Sequence, residues 1–266
     1  MHADDSIAPQ ETARTPFDIA LRPLAVRDVA RWLAAGCRDF ARAPGIGLFY
    51  GACFVAMGWA LLGVFEHAPA YVLALSAGFL LMGPFLCMGL YRVSLLLERG
   101  ERPRLGDSLT AWRTRTGTLA IFGFVLLVLE MLWGRAALVV FAVSFDGMPD
   151  FGGSLGRLLD LENLGFIVAY VMVGAIFAGL IYAVSVVSIP MILDRPVDAI
   201  TAGLTSIRLV LSQPFVLLCW GAVITLLVGA ALLPWFLGLL VVGPVVGHAS
   251  WHAYRAAVVP QETPAG

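Results

Sequence analysis

The chain has 266 residues, 60% apolar and 13% charged, with a mean hydropathy of +0.88 and a net charge of −1. A soluble domain has about 45–50% apolar and about 25% charged residues, so the composition excludes an ordinary water-soluble fold and leaves apolar surface for lipid to cover. The near-neutral balance supplies no basic domain of the kind nucleic-acid binding needs, and no nucleic-acid partner is expected.

Residues 1–23 are polar and read as a flexible cytoplasmic tail, without the short apolar core of a cleaved signal peptide. Next, Arg27, Arg31, Arg38 and Arg42 recur on one helical stripe while Val29, Trp32, Leu33, Gly36, Cys37 and Phe40 fall opposite. That pattern predicts an amphipathic helix lying in the membrane interface. Apolar runs approaching the roughly 20 residues that cross about 30 Å of hydrocarbon predict spans at 45–65, 69–91, 118–140, 164–189, 215–233 and 235–251. A short surface segment is expected from an Asp107-Ser108 N-cap through Leu109 and Trp112 to Arg113 and Arg115. Another follows span four, where Val197, Ile200, Leu204, Ile207 and Leu211 alternate by three and four and Pro196 suits the first turn. Between the last two spans, Leu233-Pro234-Trp235 predicts a tight hairpin, because proline removes a donor and clashes with the preceding turn. One long kinked segment is the alternative. Residues 257–266 read as a second flexible tail.

Arginine placement orients this map. Six arginines, from Arg14 to Arg42, precede span one, and Arg92, Arg99, Arg102, Arg104, Arg113 and Arg115 lie between spans two and three. With Arg195, Arg208 and Arg255, fifteen of seventeen fall on one side, which the positive-inside rule makes cytoplasmic. The other side carries Glu66, Asp146, Asp150, Asp160 and Glu162 against Arg157 alone. Gly83-Pro84, Ile189-Pro190 and Gly243-Pro244 recur near the inner ends of the even spans. The expected fold is therefore all-α, a polytopic membrane bundle at 24–256 with six transmembrane helices. It reads as three pseudo-repeats, each an amphipathic surface helix plus two spans, related by an axis along the membrane normal.

Few residues suggest chemistry. Glu130 lies near mid-membrane, where a carboxylate costs roughly 2.5–3.5 kcal/mol on insertion scales, so it faces protein, takes a proton or finds a cation. Arg135 is about 140° further round the helix, which disfavours a same-face pair. Asp194, Arg195 and Asp198 gather where span four meets the cytoplasm, either to recognise a ligand or to cap the next helix and pair internally. His248 and His252, at i and i+4, turn both rings one way and could share a metal or flank a haem. With Trp251, Tyr254 and Arg255 they read also as an interfacial belt. No third ligand is evident, so no cofactor is predicted. The cysteines Cys37, Cys53, Cys87 and Cys219 lack metal-ligand spacing and read as small buried hydrophobes. Residues 152–156 match the letters of a nucleophile elbow without its strand-turn-helix setting, so no catalytic residue is assigned and a membrane enzyme is the least favoured class. Gly45, Gly47 and Gly51, like Gly243 and Gly247, read as close-packing faces.

Several motifs together resemble a known family. They are Ala35-Gly36-Cys37-Arg38-Asp39-Phe40 before Pro44, Leu48-Phe49-Tyr50-Gly51, Gly83-Pro84 with Gly89-Leu90-Tyr91, the run from Ser185 to Asp198, and Gly243-Pro244 through His248 to Arg255. They resemble the predicted integral membrane proteins of proteobacteria grouped as domain of unknown function 2189. The resemblance implies a bacterial inner-membrane protein of uncharacterised role. Expected partners are the lipid bilayer and, for a scaffold, assembly factor or subunit, other membrane proteins or a second copy of the chain. A small-solute or ion transporter using Glu130 is the alternative reading.

Overall fold

The computed structural model describes residues 18–67, 72–144 and 164–260. The elements there are helices: α1 Val26–Arg42, α2 Pro44–His67, α3 Val72–Glu98, α4 Leu105–Leu109, a 3-10 turn Ala111–Arg115, α5 Thr116–Ser144, α6 Leu164–Ser185, α7 Ser188–Asp194, α8 Ala199–Ser212, α9 Pro214–Leu232 and α10 Leu239–Ala257. Among the described residues, four stretches are long and apolar enough to cross a membrane: Pro44–Val64, Leu105–Ser144, Leu164–Asp194 and Pro214–Leu232. Asp146, Asp150, Arg157, Asp160, Glu162, the 152–156 run and the side chain of Glu66 lie outside the described residues.

Helix α10 is the hub, packed by α1, α2 and α3. Glycines let these helices approach at backbone distance. A Cβ on Gly36 would sit 2.5 Å from the Val245 carbonyl oxygen, and one on Gly247 2.5 Å from the Leu90 side chain. Gly58 faces Phe236 while Gly51 faces Leu240, so α10 returns alongside α2 in the opposite sense. The turn between α9 and α10 spans residues 233–238, longer than the three-residue hairpin expected, and span six correspondingly starts as helix only at Leu239. Trp235 and Phe236 take positive φ values of 53° and 66° there. That left-handed backbone is costly for residues with a Cβ; Trp59 Nε1 donates to the Trp235 carbonyl at 2.9 Å and braces the turn.

Helix α1 is amphipathic as its arginine stripe predicts, but its apolar face meets protein. Val29, Trp32, Ala35, Gly36 and Asp39 are buried, and Trp32 meets Trp220 of α9 edge to face at 5.7 Å. Cys37, expected on the apolar side, is exposed; Ala35 and Asp39 complete the buried face in its place. The buried stripe is centred a fraction of a turn from the expected one because it tracks α10 at Gly36.

Two cap expectations shift. The short helix α4 starts at Leu105, not at an Asp107-Ser108 cap, and the Asp107 carboxylate reaches back to accept from the Arg104 backbone N–H at 3.3 Å. Helix α8 starts after Asp198, which accepts from Thr201 N–H at 2.8 Å, so Pro196 lies before the helix. In each case a carboxylate three residues from an orphan donor fixes the helix start. The three prolines are not equivalent either. Pro84 and Pro244 sit inside continuous helices, whereas the chain unwinds at 186–187 and Pro190 falls in the first turn of α7.

The two ends of the described chain are clasped together. Leu21 and Val258 form an antiparallel bridge, with Arg22 N–H donating to the Ala257 carbonyl at 2.8 Å and Val259 N–H to the Ala20 carbonyl at 3.0 Å. Gln213 holds the same strap, accepting from Leu24 N–H and donating to the Arg22 carbonyl. Arg208 donates to the Ile19 carbonyl.

Candidate functional site

The polar residues gather at the arginine-rich end, between α1, α3, α7 and α10. On α3, Ser94 and Glu98 are one turn apart and face α10, where His248, His252 and Arg255 repeat at helical spacing. Ser94 Oγ and His248 Nδ1 are 2.8 Å apart, both residues fully buried. His252 Nε2 lies 2.7 Å from Asp39 Oδ2 and its Nδ1 3.8 Å from Glu98 Oε1, so the imidazole sits between two carboxylates. Glu98 also accepts from Trp251 Nε1 at 3.0 Å and pairs with Arg255 Nε at 3.2 Å.

The chain of contacts continues to Asp194 at the end of α7. Its Oδ2 lies 3.5 Å from Arg255 Nη1 and accepts from the Tyr254 hydroxyl at 2.6 Å. The Tyr254 oxygen in turn accepts from Arg195 Nε at 3.0 Å, and Arg195 Nη2 donates to the Val259 carbonyl. Burial alone would raise the Asp39 pKa, but hydrogen bonds from His252 and Ser94 and the charge of the two imidazoles outweigh it and hold the carboxyl below its ordinary range. A partly buried network of this kind is stable only when its members satisfy one another.

The sequence reading named Asp194, Arg195, His248 and His252 as two separate groups; the structure joins them in one network. Asp198 stands apart as the exposed cap of α8, its carboxyl lowered against the burial penalty by hydrogen bonds from Thr201. His248 and His252 do not converge on a shared position, since Ser94 engages one ring and Asp39 the other. No group of three or more His, Cys, Asp or Glu among the described residues is placed to hold a metal ion. Asp39, Ser94 and Glu98 were not anticipated. Asp39 did leave a signal, a carboxylate within an otherwise apolar stripe of α1.

Glu130 and Arg135 are separated by the structure. Glu130 shares the inward stripe of α5 with Leu119, Phe122, Leu126 and Ala137 and is only 6% exposed, while Arg135 is exposed. Phe122 lies beside Gly203 of α8. Glu130 is therefore about 12 Å further along α5 than Phe122.

No curated protein and no solved structure matches the chain. Residues 72–194, from the start of α3 to the end of α7, match the family model described as predicted integral membrane protein (DUF2189), and this is the family that the chain resembles.

Proposed function

We propose that the chain is a six-span inner-membrane protein with both termini cytoplasmic, acting as a scaffold or subunit that binds other membrane components. The observation that carries the non-catalytic reading is the network itself. Asp39, Ser94, Glu98, Asp194, Arg195, Tyr254, His248, His252 and Arg255 are engaged with one another across α1, α3, α7 and α10. Such an arrangement holds helices in register. Six spans are supported by helix length, since α3 with 27 residues rises about 40 Å and α10 with 19 about 28 Å. The antiparallel course of α10 beside α2 supports the same count.

Affinity purification of the tagged full chain in mild detergent, followed by mass spectrometry and visible absorption, tests this reading. Stoichiometric membrane-protein partners are expected, without a Soret band. A haem spectrum tracking the protein, or a chain that purifies alone and shows a substrate-dependent activity, would overturn it.

A second reading, transport, rests on Glu130 being buried within the apolar run of α5. Loss of solute or proton flux in proteoliposomes on Glu130→Gln, with expression and thermal stability intact, would establish it in place of the scaffold. No flux in wild-type proteoliposomes across a cation and proton panel would remove it.

A further inference from the structure

Two cavities lie along α4 at the arginine-rich end, one lined by its first residue and the other by its last turn. One, about 460 Å³, is polar at its mouth, where Arg42 at the end of α1 and Glu101 and Arg102 after α3 surround the Pro44 corner that opens α2. The other, about 370 Å³, is almost wholly apolar and is bordered by Phe85, Leu86, Leu109, Trp112 and Leu119. Leu105 lines the first and Ser108 the second, only about 4.5 Å apart along the helix axis. Tyr50, whose hydroxyl lies 3.2 Å from Ser108 Oγ, lines the apolar cavity six residues past Pro44, or about 9 Å further along α2. Its rim is open, since Met82, Leu109 and Trp112 are each about half exposed.

We propose that these two cavities form one site for an anionic glycerophospholipid of the cytoplasmic leaflet. The phosphate lies between Arg42 and Arg102, the headgroup hydroxyls donate to Glu101, and an acyl chain follows α4 into the apolar cavity. Charge complementarity selects the occupant. Two guanidiniums against one carboxylate leave a single positive charge at the mouth, which a phosphatidylglycerol headgroup neutralises and a zwitterionic one does not. Guanidinium suits phosphate because it presents paired donors in a fixed plane. Depth agrees with charge, because the polar cavity lies at the helix ends and the apolar one a turn or two inside.

The test compares lipid retention by the full chain, using native mass spectrometry after release from vesicles of phosphatidylcholine with either phosphatidylglycerol or phosphatidylethanolamine. Wild type should retain phosphatidylglycerol, and the Arg42→Gln/Arg102→Gln double variant should retain it about thirtyfold less, given about 1 kcal/mol per arginine at an anionic surface. The matched control Arg27→Gln/Arg31→Gln removes two exposed arginines of α1 that lie about 16 Å or more along the helix from Arg42 and should retain lipid as wild type does. Thermal unfolding of each variant separates loss of lipid from loss of fold. Equal retention of phosphatidylethanolamine, equal losses in the two double variants, or full retention by Arg42→Gln/Arg102→Gln would each overturn the proposal.

Discussion

At the scale of single residues, the Asp39–His252 contact makes the sharpest demand. Asp39 is 5% exposed, and its carboxylate receives the His252 Nε2 proton at 2.7 Å. Asp39→Asn retains the shape but loses a charge-assisted bond, with an expected cost of about 1.5–3 kcal/mol near neutral pH, measured as thermal unfolding in detergent. The pH dependence has a definite sign. Because the folded-state carboxyl is held below the ordinary value of 3.8, its contribution is fully present above that value. It is lost as pH falls further through the folded-state value, so wild type and Asp39→Asn should converge in acid. A constant difference down to unfolding would show that Asp39 acts by packing. Glu130 differs in kind: no hydrogen bond or ion pair reaches it among the described residues. Glu130→Gln should therefore be tolerated in stability, whereas Glu130→Lys should impair insertion or packing in expression and thermal assays. Equal stability of the Lys variant would mean that the position opens to water. The lone carboxylate of Glu130 within an apolar run was readable in the sequence. The Asp39 and Ser94 contacts were not, since their partners lie 213 and 154 residues away and a periodicity speaks only for neighbours within one helix.

At the scale of elements, the arginine stripe announced α1 because 3.6-residue periodicity survives whatever surface the apolar face meets. What the stripe cannot distinguish is lipid from protein as that surface. The distinguishing feature is Gly36, where any Cβ would press on the Val245 carbonyl and the Ala249 backbone nitrogen of α10. Gly36→Ala must separate the two helices, at a cost of about 1–3 kcal/mol. Gly45→Ala, where an added Cβ meets nothing within 4 Å, should cost nothing and can gain up to about 1 kcal/mol in helix propensity. Equal thermal stability of the two variants would mean that α1 rests on lipid after all. The α4 start and the 233–238 turn were harder to read for a related reason. Both are fixed by local backbone satisfaction, Asp107 bonding back to Arg104 and Trp59 bonding the Trp235 carbonyl, and only the first of these partners is close in sequence.

At the scale of the whole molecule, the clasp between Leu21 and Val258 places both ends of the described chain on one face, so the number of crossings between them is even. Parity alone admits four spans or six. Among the described residues, four helical stretches meet the length and hydropathy of a span outright, while α10 carries His248, His252 and Arg255 in its second half and so reads as less apolar. The two counts place the connections differently. With six crossings, α3 returns the chain to the side of the termini, so residue 104 shares that side and residue 150 lies opposite. If only α2, α5, α6 and α9 crossed, residue 104 would be carried across and residue 150 brought back. Single cysteines at 104 and 150 on a cysteine-free background, labelled in intact cells with a membrane-impermeant maleimide, separate these cases. Six spans predict labelling from outside at 150 and protection at 104 until the membrane is opened. The arginine asymmetry requires the same result, because Arg99, Arg102, Arg104, Arg113 and Arg115 all flank the 104 connection and moving them across the membrane opposes the positive-inside preference. Labelling at 104 with protection at 150 would fit four crossings and break the agreement between the charge map, the clasp and the antiparallel course of α10 beside α2.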